Sequence, residues 1–327
     1  MKKIAMIALA AAALAACNKS EVVETPKGIA IAFDNAFVNN STKANDITAQ
    51  TLESFGVFGY VEANGTKGKI FDNQLVTGSK GKFTYTPPQY WIASAQYYFT
   101  AIAPMTNRHW TYETSDAQNG VLTFDNVAAG ANQDLLFAYN QPAVTPSAIT
   151  EAPDAVAFDF SHILSRVKFT FENGFASTSN MTFEVSDVHI TNACPGGKLN
   201  MTNGAPAAAW DVTEYTGNQD IDFKDAGDAV LASGATAETE HFYMIPTQRE
   251  YVVTFVVNLY QAGVHVGKDL SRSAKVTIDL NKGVSYNVKA TLNQDNVTEN
   301  PLFPIVFDVN TIDEWDEFED KTAEIQK

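Results

Sequence analysis

Apolar and polar residues alternate along much of the second half of the chain. Val167, Phe169 and Phe171 alternate with polar neighbours. This period of two turns one face of a β-strand toward a core. The same period recurs at 251–260, 276–280, 286–292 and 305–309.

One further strand pattern changes its phase. Phe183 and Val185 are in step, whereas Val188 and Ile190 are shifted by one residue, and this shift predicts a β-bulge. Strands of this length, separated by Gly, Asn and Pro turns, are typical of antiparallel β-sandwiches. The sequence therefore predicts an all-β fold.

The first half begins with a strand pattern of its own. Ile29, Ile31 and Phe33 alternate with small residues, which predicts a strand with one buried face. The following segment, 39–46, is polar and rich in turn-forming residues, so we expect an exposed loop. Three prolines and little periodicity between 141 and 153 predict a domain boundary near residue 150.

The first residues have the pattern of an export signal. Lys2 and Lys3 precede an apolar stretch at 4–16 that is too short to span a membrane stably. The stretch ends in Leu14-Ala15-Ala16-Cys17, which fits a bacterial lipobox. We therefore predict a signal peptide at 1–16, lipidation of Cys17, a tether at 17–27 and an outer-membrane, cell-surface location. The alternative is an ordinary signal with a chance cysteine.

Composition narrows the range of partners. The full chain has a formal net charge of −16, and an acidic surface argues against binding to nucleic acid or anionic lipid. Membrane association is expected only through the lipid anchor. Lipidation of Cys17 leaves Cys194 as the remaining thiol, so no intrachain disulfide can form and stability must come from core burial.

The sequence contains no recognisable catalytic or metal-binding pattern. The five histidines are scattered, and the acidic run 220–228 departs from an EF-hand at Lys224 and Asp225. We predict no catalytic residues, no metal and no cofactor, with His162 in a structural role. The aromatic residues at 90–112 have two interpretations. They form either part of a core or a sugar-stacking surface around Trp91 and Trp110.

Several motifs, in order, resemble the fimbrillin-like family of lipoprotein-derived pilus subunits. The most specific is Phe160-Ser161-His162-Ile163-Leu164-Ser165-Arg166-Val167. The others are Ser54-Phe55-Gly56-Val57-Phe58-Gly59-Tyr60, Tyr98-Phe99-Thr100-Ala101-Ile102-Ala103-Pro104, Asp134-Leu135-Leu136-Phe137-Ala138, Met244-Ile245-Pro246-Thr247-Gln248 and Asn281-Lys282-Gly283-Val284-Ser285-Tyr286.

The resemblance implies two transthyretin-like β-sandwich domains in tandem, here 28–150 and 151–327. It also implies that a trypsin-like protease cuts the loop after the first strand, which then leaves and is replaced by a strand of a neighbouring subunit. Lys43 and Ala44 match the position of this cut, although the family often has Arg where Lys43 stands.

The same resemblance assigns roles to two strand patterns. Ile29, Ile31 and Phe33 match the removable first strand, and the alternating residues Ile305, Phe307 and Val309 are the candidate donor strand. A strand that leaves exposes backbone donors, acceptors and an apolar face, which another strand satisfies.

The predicted function is a structural or adhesin subunit of a fimbria, not an enzyme. The expected partners are other pilus subunits, a trypsin-like processing protease and a surface receptor of host or bacterial origin. The alternative function is a monomeric outer-membrane lipoprotein that binds glycans.

Overall fold

The computed structural model describes residues 28–34, 37–38, 47–125, 127, 132–223, 231–298 and 301–312. The strands in the first half are β1 (Phe37–Val38), β2 (Ser54–Ala63), β3 (Thr66–Ser79), β4 (Lys82–Thr84), β5 (Gln96–Ala103), β6 (Trp110–Thr114), β7 (Gly120–Asp125) and β8 (Leu136–Asn140). The strands that follow are β9 (Asp159–His162), β10 (Ser165–Asn173), β11 (Met181–Ala193), β12 (Gly196–Thr202), β13 (Ala205–Pro206), β14 (Gln219–Phe223), β15 (Thr236–Glu238), β16 (Phe242–Met244), β17 (Gln248–Gln261), β18 (Val264–Asp279), β19 (Ser285–Leu292) and β20 (Phe307–Ile312).

In the described ranges, helical structure is limited to single turns. A 3-10 turn spans Ser177–Ser179, and α1 spans Gln294–Val297. The side chain of Asn293 caps α1 by accepting a hydrogen bond from the backbone of Asp295. Neither helix is long and apolar enough to cross a membrane, a statement that holds for the described ranges alone.

A seven-stranded sheet forms most of the first half, in the order β1-β9-β8-β5-β2-β3-β4. Its central strands β2 and β5 are buried on both faces, which explains their continuous aromatic and aliphatic sequences. One face packs around Phe55, Phe99 and Phe158. The other face contacts a four-stranded sheet, β13-β12-β7-β6, through Phe58 and Tyr112, whose rings are 5.1 Å apart.

The second half is a sandwich of two sheets. One sheet has the order β15-β10-β19-β20, with β16 also paired to β10, and the other has the order β14-β11-β17-β18. Their inner faces meet where Phe171 of β10 contacts Phe255 of β17, with ring centroids 4.8 Å apart. The pairing is antiparallel except between β10 and β19, which are parallel over eight residue pairs.

The structure confirms the all-β, antiparallel fold class and the phase change in β11. Its register against β17 shifts between Ser186 and His189, and Asp187 between them has a positive φ of 51°. The β-bulge predicted from Phe183 and Val188 is therefore present.

Two of the sheets continue past residue 150. β9 pairs with β8 in the seven-stranded sheet, and β12 pairs with β7 in the sheet that covers it. The boundary near 150 and the tandem of two transthyretin-like domains stay predictions. These two pairings join strands before residue 150 to strands after it. They would therefore cross a domain boundary placed near residue 150.

Candidate functional site

The residues predicted to form the removable strand lie at the edge of the first core. We call 28–34 the inserted segment. Ile31 and Phe33 are each 2% exposed, Ile29 is half-buried, and Ala30 and Ala32 face outward. The alternation predicted from the sequence is thus present, but the segment pairs through isolated bridges to Tyr90, Val156 and Lys82 rather than as a continuous strand.

Backbone hydrogen bonds hold the inserted segment from both sides. On one side, the Ile31 N–H donates to the Gln89 carbonyl at 2.8 Å, and the Trp91 N–H donates to the Ile29 carbonyl at 2.9 Å. On the other side, the Val156 N–H donates to the Ala32 carbonyl at 2.8 Å. The segment therefore fills a slot between 89–91 and Val156.

Phe33 carries most of the aromatic contacts of this segment. Its ring stacks on Phe158 at 5.8 Å between centroids and meets Phe71 edge-on at 5.5 Å. It also contacts the rings of Phe55, Phe99 and Tyr85. Phe33 does not belong to a strand of the seven-stranded sheet, yet its side chain is packed inside the core of that sheet.

The candidate donor residues lie in and just before β20, at the edge of the second sandwich. Ile305 and Phe307 are buried, whereas Val306 is 66% exposed and Val309 is 36% exposed. β20 pairs with β19 from Ala290↔Phe307 to Ser285↔Ile312. Phe307 reaches the sandwich core, where its ring lies 5.6 Å from Phe169.

The free side of this C-terminal segment borders a groove. The groove has a volume of about 650 Å³ and lies between 304–309 and residues 273–277 of β18. Ala274 and Val276 form its apolar floor on the β18 side. Among the described strands, β20 has a ladder on one side only.

The signature motifs meet one another where the two halves join. His162, at the end of β9, places Nδ1 2.7 Å from Oδ2 of Asp134, and both side chains are buried. Asp134 also accepts the N–H of Leu135 through Oδ1. The predicted structural role of His162 therefore corresponds to a polar contact between the segment before β8 and the end of β9.

The residues after His162 contact a second motif. Ser165 donates its hydroxyl to the Asn281 carbonyl at 2.7 Å, and Arg166 donates Nε to the Ser285 hydroxyl at 2.5 Å. Arg166 and Ser285 are both buried. These bonds hold the start of β10 against the loop before β19. Residues of the motifs that resemble the fimbrillin-like family therefore make contacts within the fold.

The aromatic region weighed as a glycan-binding surface is largely internal. Trp91 and Trp110 are each 8% exposed, and Tyr97 and Phe99 are fully buried. Tyr90 is the exposed ring in this region, at 48%. Stacking on sugars needs several exposed rings on one face, so this burial favours core packing.

For the remaining candidate residues, the structure gives little evidence of catalysis or metal binding. Cys194 is a buried thiol whose pKa is raised by burial, which is typical of a structural cysteine. Across the part of the chain that the structure describes, no three His, Cys, Asp or Glu side chains form a metal-binding group. Cys17, Lys43, Ala44 and 224–228 of the acidic run lie outside the described residues.

Comparison with solved structures shows a shared fold. A fimbrial protein from Bacteroides vulgatus is 16% identical, with a TM-score of 0.59 over 86% of this chain and 99% of that chain. A candidate cell-adhesion protein from Parabacteroides distasonis is 10% identical, with a TM-score of 0.51 over 89% and 98% of the two chains. A search of curated protein sequences finds no match. The chain thus shares its overall fold with these two proteins.

A family model described as fimbrillin-like matches residues 42–303, and the chain belongs to that family. This confirms the resemblance seen in the motifs. Membership places the protein among fimbrial and adhesion proteins of the cell surface.

Proposed function

We propose that this protein is a fimbrial subunit that assembles by strand replacement after proteolysis at Lys43. Cleavage separates the inserted segment from the rest of the chain, a neighbouring subunit supplies a strand in its place, and Cys17 anchors the precursor to the outer membrane. Its partners are then other pilus subunits, the trypsin-like protease and a surface receptor.

The single observation that carries this proposal is how the inserted segment is held. If it leaves, the Trp91 and Val156 N–H groups lose the carbonyl acceptors to which they donate. Unpaired buried backbone groups cost about 1–3 kcal/mol each. The places of Ile31 and Phe33 become an apolar hole, so the vacated slot favours another strand with apolar residues at alternate positions.

The candidate donor has the same pattern as the segment it would replace. Ile31 and Phe33 are two residues apart and buried, and so are Ile305 and Phe307. Each pair is separated by an exposed residue, Ala32 or Val306. A donor with this Ile-x-Phe pattern would place an isoleucine and a phenylalanine in the slot, the same two side-chain types that the slot already holds.

Noncovalent contacts alone would hold the inserted segment after cleavage. Burial of Ile31 and Phe33 contributes about 1.5–3 kcal/mol each. An interaction of this size slows loss of the cut strand without preventing its exchange. We therefore expect cleavage to make the subunit competent for assembly, with exchange driven by subunit concentration.

The test compares four forms of the mature chain under mild trypsin-like proteolysis. Wild type should form ladders that resist mild heating, whereas Lys43→Ala should stay monomeric. Lys80→Ala is a matched control, because Lys80 lies exposed in the β3–β4 turn, outside the proposed site. Deletion from Ile305 onward should block donation by cleaved wild type. A cleaved chain that has lost the inserted segment yet remains monomeric at high concentration would contradict strand replacement.

A further inference from the structure

An exposed group of apolar side chains lies beside the start of the inserted segment. Tyr90 and Ile92 are each 48% exposed and Val144 is 61% exposed, while Trp91, between the first two, is buried. The Thr145 hydroxyl donates to the Ile92 carbonyl at 2.6 Å, which brings the neighbouring Val144 close to Ile92. We call Tyr90, Ile92 and Val144 the apolar patch. A group of exposed apolar side chains is typical of an interaction surface.

The chain segments that carry the apolar patch have no charged residues. No Asp, Glu, Lys or Arg occurs in 83–107 or in 135–150, although 18% of the chain is charged and its net charge is −16. A backbone hydrogen bond joins the two segments, from the Thr145 N–H to the Ala95 carbonyl at 2.9 Å. The patch therefore lies on uncharged segments of an acidic protein, which favours a partner that is itself apolar.

The chain that leads to the proposed lipid anchor departs from beside this patch. The Gly28 backbone lies against the Tyr90 ring, so closely that an added Cβ would be 3.0 Å from Cδ1 of the ring. Cys17 precedes Gly28 by eleven residues. Because an extended chain spans at most about 3.3–3.6 Å per residue, acyl chains on Cys17 would lie within about 40 Å of Gly28.

We propose that the apolar patch rests on the bilayer surface in the lipid-anchored precursor, as a second membrane contact beside the anchor. The inference rests on the proposed function, because it takes acylated Cys17 as the anchor. Tyrosine is favoured at the level of the lipid headgroups, where its ring meets apolar chains and its hydroxyl meets water. Ile92 and Val144 add apolar area, and no charge has to be removed from water.

The tether makes a small patch sufficient. Three partly exposed side chains bind a membrane weakly when the protein is free in solution, since even a single acyl chain gives only marginal attachment. With Cys17 anchored in the bilayer, docking of the patch becomes an intramolecular step at a high effective concentration. The acidic remainder of the chain is repelled by anionic headgroups, so the uncharged patch is the surface that can approach most closely.

The position of the patch connects membrane contact to the proposed cut. Residues 89–91 form one side of the slot through their backbone bonds to Ile29 and Ile31. Cleavage after Lys43 and loss of the inserted segment remove the tether as well, so the bilayer contact ends when the slot opens. The precursor thus keeps this side of the slot against the membrane, and the cut subunit presents it to a neighbour.

The experiment uses the uncut mature chain, residues 17–327, attached through the Cys17 thiol to a maleimide lipid in vesicles of phosphatidylcholine and phosphatidylethanolamine. Cys194 is buried, so the reagent is directed to Cys17. In the reference sample, Cys17 carries a small water-soluble maleimide and the same vesicles are present. Brief hydroxyl-radical oxidation is then measured at single residues by mass spectrometry. Phe303, a 63% exposed ring close in sequence to α1, corrects for the radical dose.

We expect oxidation of Tyr90 relative to Phe303 to fall about fivefold on attachment, because the ring leaves water for the headgroup layer. Ile92→Glu places a charge in the patch and should restore the oxidation of Tyr90 in the attached protein. Val266→Glu is the matched control, since Val266 is a 49% exposed apolar residue on β18, and it should leave the protection unchanged.

Equal relative oxidation of Tyr90 in the attached and reference samples overturns the proposal. Protection that survives Ile92→Glu also overturns it, because the tether alone then shields the ring. Protection that appears without attachment and increases with protein concentration assigns the patch to a second copy of the chain, and this result likewise contradicts a membrane contact.

This design separates the inference from strand replacement. The lipid is attached chemically and the chain is not cut, so protection of Tyr90 supports the membrane contact even in a subunit that never polymerises. A Tyr90 that stays accessible in a chain that polymerises after cleavage contradicts the membrane contact and leaves strand replacement intact.

Discussion

Two segments with the same Ile-x-Phe pattern are held in this molecule in different ways. The inserted segment, 28–34, lies between two other segments and makes a few backbone bonds to each. The C-terminal segment, 305–312, forms a continuous ladder with β19 from Phe307 to Ile312 along one side and borders a groove on the other. Both bury an isoleucine and a phenylalanine in a core.

The difference bears on the strand replacement proposed above, because the two segments are held by different kinds of contact. A segment held by isolated bridges depends mostly on its side chains, so its retention is governed by how well Ile31 and Phe33 fill their slot. A segment in a ladder loses its hydrogen bonds one pair at a time from an end. Under the proposed function, the inserted segment is the part that is replaced, and β20 is an edge strand that separates from β19 to be donated.

The largest expected effect comes from truncation of the two phenylalanines. Phe33→Ala and Phe307→Ala should each lower the free energy of unfolding by about 3–5 kcal/mol, the usual range for a buried Phe. In the mature chain cut after Lys43, Phe33→Ala should speed release of the 17–43 peptide by about a hundredfold or more. Phe307→Ala should leave that release unchanged.

Denaturant unfolding and mass spectrometry of the released peptide measure these quantities. Ala32→Ser is the control, since Ala32 is exposed on the same segment and its change should stay within about 0.5 kcal/mol. Equal release rates for the two Phe variants would mean that the segments are not held independently.

A smaller effect is expected at the contact between the two regions. His162→Ala removes one of the two partners of the buried Asp134 carboxyl and should cost about 1–3 kcal/mol of unfolding free energy. The control is His265→Ala, which alters an exposed histidine near the end of the β17–β18 hairpin and should have little effect. A similar loss in both variants, measured by chemical denaturation, would argue against a structural role for the His162 contact.

The smallest effect concerns alkaline pH. Burial raises the pKa of Tyr112 to about 12, whereas a tyrosine in the unfolded chain titrates near 10. Between pH 10 and 12 the unfolded chain loses a proton that the folded chain keeps, so stability falls as the pH rises. Tyr112→Phe should reduce this fall by about 1 kcal/mol at pH 11. Thermal melts from pH 9 to 11 measure it, and parallel curves for wild type and variant would contradict it.

Local patterns in the sequence predicted the strands and their buried faces. The alternation at Ile29, Ile31 and Phe33 predicted which side chains are buried, and the phase change between Val185 and Val188 predicted the β-bulge. Both succeed because a strand's faces follow from a period of two within a few residues. Order and identity of the motifs were also enough to recognise the family.

Contacts between distant residues could not be predicted in this way. Asp134 and His162 are 28 residues apart, and nothing near either one indicates the other. The pattern at 29–33 likewise gave no sign that the segment bridges to Tyr90 and Val156 instead of joining the sheet by a full ladder. Such pairings depend on how the whole chain is arranged, which hydrophobic periodicity does not encode.

The parallel pairing of β10 with β19 has a consequence for the order of folding. Arg166 and Ser285 meet although 119 residues separate them, whereas β17 and β18 are joined by the two-residue turn Ala262-Gly263. Distant pairs form late, because a long loop must close before their contacts contribute. The core position of Phe307 needs β10 and β19 already in place. We therefore expect 305–312 to be the last strand to settle in a newly exported chain, and the one that is accessible to a neighbour for longest.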